Sequence, residues 1–509
     1  MKENVVVPVI ITLFLTAVGL PDLSAQTAQT SSGEIRVYFS QSIEPTFAKY
    51  GRIAERTNIF NRFAQRVNSA KYSIDLCFYL IGSSDFDSPA QVLINAYNRG
   101  VRIRIIYDYD KDREDSNAIQ LLRAANVPMI SDRFGNNDGQ AAMHNKFMVV
   151  DYRDTTSSLD DWVWTGSYNL TKSATTENAE NAIEIQDQKL AACYTAEFNE
   201  MWGSDTDTPD PARSRFSYRK TNNTPHQFVI NGIEVQQYMS PSDGGVNFLV
   251  DAIQRAKRSL YFCMLIFQQS TYPNKIADAM QAKWQTIPNF KVKGIFDYEQ
   301  NYGNSSSQYL NMIGSGSKPW NPPADVHLDG EFGTLHHKYL IIDGDGGPGQ
   351  SSVVTGSYNW SNAAETFNDE NFLIIKDSTI ANLYLQEFAS RYHKAGGGEP
   401  LTVTSVLPSP IGSMPETPQL AQNYPNPFNS STTISYQFFS HPEADVELSV
   451  FNSMGQKVRT LVRQRQSAGH YQIGWDGTDD RGGWVSSGVY IYQLRLDEVR
   501  LQKKLIVLH

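Results

Sequence analysis

The residues best suited to chemistry occur twice. His144-Asn145-Lys146 runs through four apolar residues to Asp151, and His336-His337-Lys338 runs through Tyr339-Leu340-Ile341-Ile342 to Asp343. Each copy continues into Thr-Gly-Ser-Tyr-Asn, at Thr165–Asn169 and Thr355–Asn359. Each ends in Glu-Asn at the same distance from that Thr, at Glu180-Asn181 and Glu370-Asn371. One His-x-Lys carries little information. Two of them, trailed by the same polar residues, are a strong signal.

The spacing predicts how these residues are presented. Met143–Val150 and Leu335–Ile342 are rich in β-formers and are expected as strands. Residues i and i+2 of a strand share a face, so His144 projects with Lys146 and His336 with Lys338. His337 points away from the Lys338 face, which gives it a structural place. An imidazole beside an ammonium suits an anion with a reactive centre. A second such pair, related by pseudo-symmetry, would enclose that anion from the other side.

The surrounding elements repeat as well. The first repeat spans residues 35–203. Its expected order is strand Arg36–Ser40, helix Ile59–Ser69, strand Tyr72–Ile81, helix Ala90–Arg99, strand Val101–Tyr107 and helix Ala118–Ala125. The His-Lys strand, strands Val163–Gly166 and Ala182–Gln186, and a helix through Tyr194–Trp202 follow. The second repeat, residues 235–394, retraces this order: Ile295-Phe296-Asp297-Tyr298 matches Ile106-Tyr107-Asp108-Tyr109, and Tyr384, Glu387 and Phe388 match Tyr194, Glu197 and Phe198. Alternating strands and helices imply an α/β fold. The two units are expected to pack as an internal pseudo-dimer in a monomeric chain, with the His-Lys strands at the interface. Residues 204–224 connect them.

This arrangement resembles the phospholipase D superfamily, whose signature is His-x-Lys-x4-Asp followed by Gly-Ser/Gly-x-Asn. The likeness covers residues 35–395 and is strongest to the nuclease and cardiolipin-hydrolase branch, whose members carry one motif per chain and dimerise. It implies a phosphodiesterase in which one neutral histidine attacks phosphorus and a protonated one donates to the leaving oxygen. Lys146 and Lys338 would hold the non-bridging oxygens, joined by Asn169 and Asn359. Glu180 and Glu370 match carboxylates that orient the histidines. The family favours His144 as nucleophile and His336 as acid. Ser167 and Ser357 either bind phosphate or cap a turn. Asp151, Asp343, Asp108 and Asp297 are expected as strand-end anchors, and Tyr168 and Tyr358 as packing residues. No Asp/Glu/His cluster with ligand spacing accompanies the motif, so neither metal nor other cofactor is expected.

Composition bounds the rest. The 509-residue chain has a formal net charge of −10, is 40% hydrophobic and is long enough for about three domains. Acidic and basic residues cancel beyond Pro415, so the acidity lies in the catalytic part, and a broad basic surface for nucleic acid is not evident. Cys77, Cys193 and Cys263 are expected as buried hydrophobes. Residues 1–25 carry Lys2, an apolar run and Ser24-Ala25, as in a secretory signal peptide. Residues 395–418 are rich in Gly, Pro and Ser and are expected as a linker. Residues 419–509 predict six short strands of an immunoglobulin-like β-sandwich: Thr432–Phe438, Val446–Asn452, Gln456–Val462, Tyr471–Trp475, Gly488–Arg495 and Leu501–Leu508. The words Asn423-Tyr-Pro-Asn-Pro-Phe-Asn429, Trp475-Asp-Gly and Ser487-Gly-Val-Tyr490 resemble the sorting domain of type IX secretion cargo. That likeness implies a secreted or surface protein whose tail meets the secretion machinery. The substrate stays open between a phospholipid and a nucleic acid, since both present the same phosphodiester; the acidic catalytic part favours lipid, and the nuclease-like wording of the motif favours nucleic acid.

Overall fold

In the computed structural model the described residues are 33–110, 117–134, 141–154, 157–346, 349–398, 401, 418–420, 422–423, 426–429, 431–497 and 499–508. The expected signal peptide and most of the expected linker lie outside them. Two compact units divide between Thr404 and Ser405.

The first repeat comprises β1 Ile35–Phe39, β2 Glu55–Arg56, α1 Ile59–Ser69, β3 Ser73–Phe78, α2 Ser88–Asn98, β4 Arg102–Tyr107, α3 Asn117–Ala124, β5 Met129–Ser131, β6 Lys146–Val150, β7 Trp162–Gly166, α4 Lys172–Thr176, β8 Asn181–Gln186 and α5 Gln188–Trp202. The second comprises β9 Gln227–Ile230, β10 Ile233–Ser240, α6 Gly245–Arg255, β11 Ser259–Met264, α7 Thr271–Thr286, β12 Lys291–Asp297, α8 Tyr298–Asn301, α9 Gln308–Met312, β13 Asp325–Asp329, β14 Lys338–Ile342, β15 Ser352–Gly356, α10 Asn362–Thr366, β16 Glu370–Lys376 and α11 Ser378–Lys394. The sheet orders, β2-β1-β8-β7-β6-β3-β4-β5 and β9-β10-β16-β15-β14-β11-β12-β13, correspond strand for strand. The repeat seen in the residues is thus a repeat of topology. Only the outer edge differs, where β1 meets β2 in parallel and β10 meets β9 antiparallel.

Local chemistry explains the boundaries. Asn58 caps α1 through the amide of Asn61, and Ile59, Phe63 and Val67 present one buried face. The helix expected from Tyr194 starts earlier, at Gln188, because Asp187 accepts from the amide of Leu190; Asp377 does the same for α11 at Ile380. The His-Lys strands start later than expected, at Lys146 and Lys338. The residues before them leave their own sheet and hydrogen-bond across to the other repeat. The Asp369 amide donates to Ala142 O at 2.9 Å, and the His336 amide donates to Ala179 O at 3.0 Å.

Burial follows three layers. One core is common to both repeats and joins Phe39, Phe147, Tyr194 and Phe198 to Tyr261, Tyr339, Tyr384 and Phe388. It places α5 and α11 under the His-Lys strands. Separate cores lie on the outer faces, beneath α1, α2 and α3 in the first repeat and beneath α6 and α7 in the second. The three cysteines are buried and free.

The second unit is all-β: β17 Gln419–Leu420, β18 Thr432–Asn452, β19 Lys457–Trp475, β20 Gly488–Leu496 and β21 Val499–Val507. The expected strand pairs 432–438 with 446–452, and 456–462 with 471–475, run on as β18 and β19. Pairing resumes after a register shift between Phe438 and Glu443, because a bulge lets a long strand bend while keeping its ladder. Ile434, Leu448, Trp475, Tyr492 and Leu505 fill its core.

Candidate active site

The motif aspartates pin the backbone. Asp151 and Asp343 end β6 and β14 with φ of 63° and 53°, a conformation that Asp tolerates. The Asp151 carboxylate accepts from the amides of Lys71, Tyr72 and Ser73 at 2.7–3.0 Å. Asp343 accepts from Lys257, Arg258 and Ser259 at 2.7–3.1 Å. At the other end of the motif, Met143 N donates to Asp108 Oδ2 at 3.1 Å and Leu335 N to Asp297 Oδ2 at 2.9 Å. Each His-x-Lys segment is therefore clamped before and after by a buried carboxylate that takes no part in its face.

Between the clamps, the pairing crosses from one repeat to the other. His144 Nδ1 lies 2.8 Å from Glu370 Oε2. His336 Nδ1 lies 3.0 Å from Glu180, with the Ser167 carbonyl at 3.1 Å. Both carboxylates are fully buried. The asparagines beside them cross too. Asn371 Nδ2 donates to Asn145 Oδ1 at 2.8 Å, while Thr165 donates to Asn371 Oδ1 at 2.6 Å. Asn181 Nδ2 donates to His337 Nδ1 at 3.0 Å, while Thr355 donates to Asn181 Oδ1 at 2.9 Å. Neither repeat contains a complete histidine site without the other.

The Thr-Gly-Ser-Tyr-Asn turns make that crossing possible. Gly166 has φ 144°, and a Cβ there would lie 2.4 Å from Asn181 O; at Gly356 it would lie 2.2 Å from Asn371 O. Only glycine lets the turn approach the Glu-Asn strand so closely. Ser167 is fully buried and donates to Glu180 Oε2 at 2.6 Å while accepting from the amide of Asn181. Ser357 accepts from the amide of Asn371 at 3.1 Å. Both serines brace the carboxylate strand. Asn169 and Asn359 follow, each 6% exposed, each with an Oδ1 that has no hydrogen-bond partner among the described residues. Tyr168 and Tyr358 are buried and donate behind the turn, Tyr358 to Glu365 at 2.6 Å.

Burial sets the charges. Lys146 and Lys338 are buried, with their ammonium groups on the carbonyls of His144 and His336 at 2.8 and 2.5 Å. Desolvation pulls them down to about 7 and about 8, against the attraction of Glu370 and Glu180. His144 falls well below its ordinary value through burial and the two lysines. Burial lowers His336 to about 4 against the pull of Glu180. The carboxylates differ. Burial lifts Glu370 to about 8, whereas for Glu180 the neighbouring His336 and Lys338 outweigh burial and hold it below its ordinary value.

Three features escape inspection of residue types. The crossing of Glu180 and Glu370 is one. Tyr79 is another: its ring packs 4.6 Å from that of His144 and 4.9 Å from the Lys146 ammonium, where the second repeat has Leu265. The third lies beneath the site. Lys220, in the connecting segment, is buried between Glu197 at 2.5 Å and Asp369 at 3.0 Å. The second repeat instead uses His337 and Arg391 on Glu387, at 3.0 and 2.5 Å. This gives His337 its place, on the far side from Lys338. Among the described residues no three His, Cys, Asp or Glu side chains form a metal-holding group.

A family model described as cardiolipin synthase, PLD-like domain, matches residues 63–202 and 249–392, more than half of the chain. The chain belongs to the phospholipase D-like family. A FlgD Ig-like domain model matches residues 423–498 of the all-β unit. Among relatives, the mitochondrial cardiolipin hydrolase of Chlamydomonas reinhardtii is 31% identical over 142 residues, 28% of this chain and 56% of that protein. That of Xenopus tropicalis is 31% identical over 163 residues, 32% of this chain and 68% of that protein. A phospholipase D of Rickettsia bellii is 28% identical over 163 residues, 32% of this chain and 71% of that protein. The chain thus spans between half and three quarters of the length of these phospholipase D-like relatives.

Proposed function

We propose that the protein is a phosphodiesterase of the phospholipase D type that hydrolyses phospholipids through a phosphohistidine. The observation that carries this is the crossed pair of buried histidines, each on a buried carboxylate of the other repeat and each beside a buried lysine. Such a site is short of one anion. Burial disfavours every positive charge in it, and a phosphodiester would restore both ammonium groups and an imidazolium.

In this reading Nε2 of neutral His144 attacks phosphorus, forming the P–N bond as the P–O bond to the leaving alcohol breaks. His336 gives that oxygen its proton. His336 then takes a proton from water, which attacks phosphorus and frees His144. Lys146, Lys338, Asn169 and Asn359 hold the non-bridging oxygens. The two carboxylates support this division of labour. Ionised Glu180 favours an imidazolium on His336, the acid, whereas His144 stays neutral beside Glu370. Ser167 serves here by fixing Glu180 rather than by touching phosphate.

The test is to incubate the purified full chain with phosphatidylcholine, cardiolipin and plasmid DNA in excess EDTA. Release of the lipid's head-group alcohol is expected. Cleavage of DNA alone would establish the nuclease reading instead, and activity restored only by Mg²⁺ or Zn²⁺ would remove the metal-free mechanism. Export is part of the same proposal: the leader at 1–25 and the sorting words of 419–509 support secretion by the type IX route. Deleting 419–509 should then abolish release while leaving catalysis intact.

A further inference from the structure

The strands leading into each histidine end in matching loops. Asp108-Tyr109-Asp110 follows β4 as Asp297-Tyr298-Glu299 closes β12 and opens α8. Register pairs Tyr107 with Ser131 and Phe296 with Leu328, so Asp132-Arg133-Phe134 after β5 corresponds to Asp329-Gly330-Glu331 at the end of β13. In the first repeat the Arg133 guanidinium lies 4.9 Å from the Tyr109 ring centroid and 5.8 Å from that of Phe134. That repeat covers its aromatic faces with its own cation.

The second repeat has exposed aromatic faces without an arginine at that place, and its cations sit on carboxylates instead. Gly330 stands at the place of Arg133. Tyr298 stacks on Tyr302, with centroids 4.9 Å apart and planes 10° from parallel, and both rings are exposed. Phe332 is 86% exposed. Tyr298, Glu299, Gly330, Glu331, Phe332 and Thr334 line one groove. Glu331 pairs with Lys394 at 2.7 Å and Asp329 with Arg391 at 2.7 Å; Glu299 stands exposed at the rim. Thr334 is two residues from His336, and Asp297 holds the intervening Leu335 amide, so the groove is fixed to the catalytic histidine. The exposed ring faces, with the Glu299 carboxylate at their rim, attract a cation and repel an anion.

We propose that this groove binds the ammonium group of the substrate's leaving alcohol, a choline or ethanolamine, and so selects amine-bearing phosphodiesters over anionic ones. The proposal rests on the phosphodiesterase reading, in which His336 protonates the leaving oxygen and the alcohol therefore departs on the side of the groove. It disfavours cardiolipin and nucleic acid, whose leaving groups carry no ammonium.

The first repeat suggests the test. A Cβ at Gly330 meets nothing within 4 Å and the backbone there is not left-handed, so Gly330→Arg can recreate the self-filled groove. The full-length wild type, Gly330→Arg and Tyr298→Ala are assayed on phosphatidylcholine in mixed micelles and on bis(p-nitrophenyl) phosphate, which carries no cation. The ratio of kcat/KM for the lipid to that for the aryl ester should fall about tenfold in both variants. An unchanged ratio, or a wild type that prefers cardiolipin or DNA, overturns the groove's role. A wild type that hydrolyses neither ester defeats the phosphodiesterase reading instead. Calorimetric titration of choline needs no turnover and decides binding separately. Heat in the wild type that is lost in Gly330→Arg supports the groove; no binding to the wild type, or equal binding to both, overturns it.

Discussion

The two repeats present the same face and rest on different supports. On the face, His, Lys, the braced Glu-Asn strand and the Gly-Ser-Tyr-Asn turn recur at matching places. Beneath it, one repeat buries Lys220 between Glu197 and Asp369, and the other buries His337 and Arg391 around Glu387 and Asp329. The consequences differ. Burial lifts Glu197 to about 7 despite Lys220, while His337 and Arg391 outweigh burial at Glu387 and hold it at about 2. On the proposed function the face fits one phosphodiester from both sides, so its geometry is held twice. The support needs only to neutralise a buried carboxylate, and any cation within reach will do.

The face should show its asymmetry most strongly in the histidines. His144→Ala is expected to abolish turnover of every ester, since no leaving group compensates for a missing nucleophile. His336→Ala should cost on the order of 10²–10⁴-fold on a natural phospholipid, yet spare the first release of p-nitrophenol from an aryl ester, which departs without a proton; a burst followed by slow turnover is expected, because the base for hydrolysis of the phosphohistidine is gone. Mass spectrometry after a quench without acid should find phosphate on His144. Phosphate on His336 would exchange the roles of the two repeats.

The supports separate next. Lys220→Met leaves Glu197 and Asp369 facing each other without a counter-charge, and urea denaturation should show a loss of about 3–5 kcal/mol. Arg391→Met should cost less, because His337 Nε2 and the Tyr339 hydroxyl still donate to Glu387. A larger loss from Arg391→Met would mean that the second support, not the connecting segment, is the critical one.

The smallest effect concerns the carboxylates. Glu370, raised to about 8, is protonated below that pH and ionised above it. Only the ionised form accepts the His144 Nδ1 proton and leaves Nε2 free to attack. The kcat for an aryl ester should therefore rise by roughly threefold to tenfold as pH increases through about 8. The rise should vanish in Glu370→Gln and persist in Glu180→Gln, because Glu180 is already ionised throughout that range. Its persistence in Glu370→Gln would assign the titration to another group.

Much of this was readable in the residues. The spacing of His144 to Lys146 and of Thr165 to Glu180, repeated at His336 and Thr355, implied two α/β units and named the polar groups of the site. Periodicity located most strands and helices, since β-branched runs and capped amphipathic segments are local properties. The departures came where tertiary contacts overrode local preference. The His-Lys strands began late because the preceding residues pair across the interface, and β18 and β19 ran through expected breaks because a bulge kept their ladders.

Residue types and spacing alone led to the expectation of two His-Lys pairs around one anion, and the resemblance to the family added the two carboxylates to it. Tertiary structure decided that Glu370 serves His144 and Glu180 serves His336. That choice depends on which buried groups lie within about 3 Å, a distance between residues far apart in the chain that no spacing encodes. It also decided that Arg133 covers Tyr109 while Tyr298 stays open, because the register of β4 with β5 and of β12 with β13 aligns an arginine with a glycine. The strength of a buried charge depends on what surrounds it in three dimensions, so the inequality of two repeats so alike in wording arises only once they are packed together.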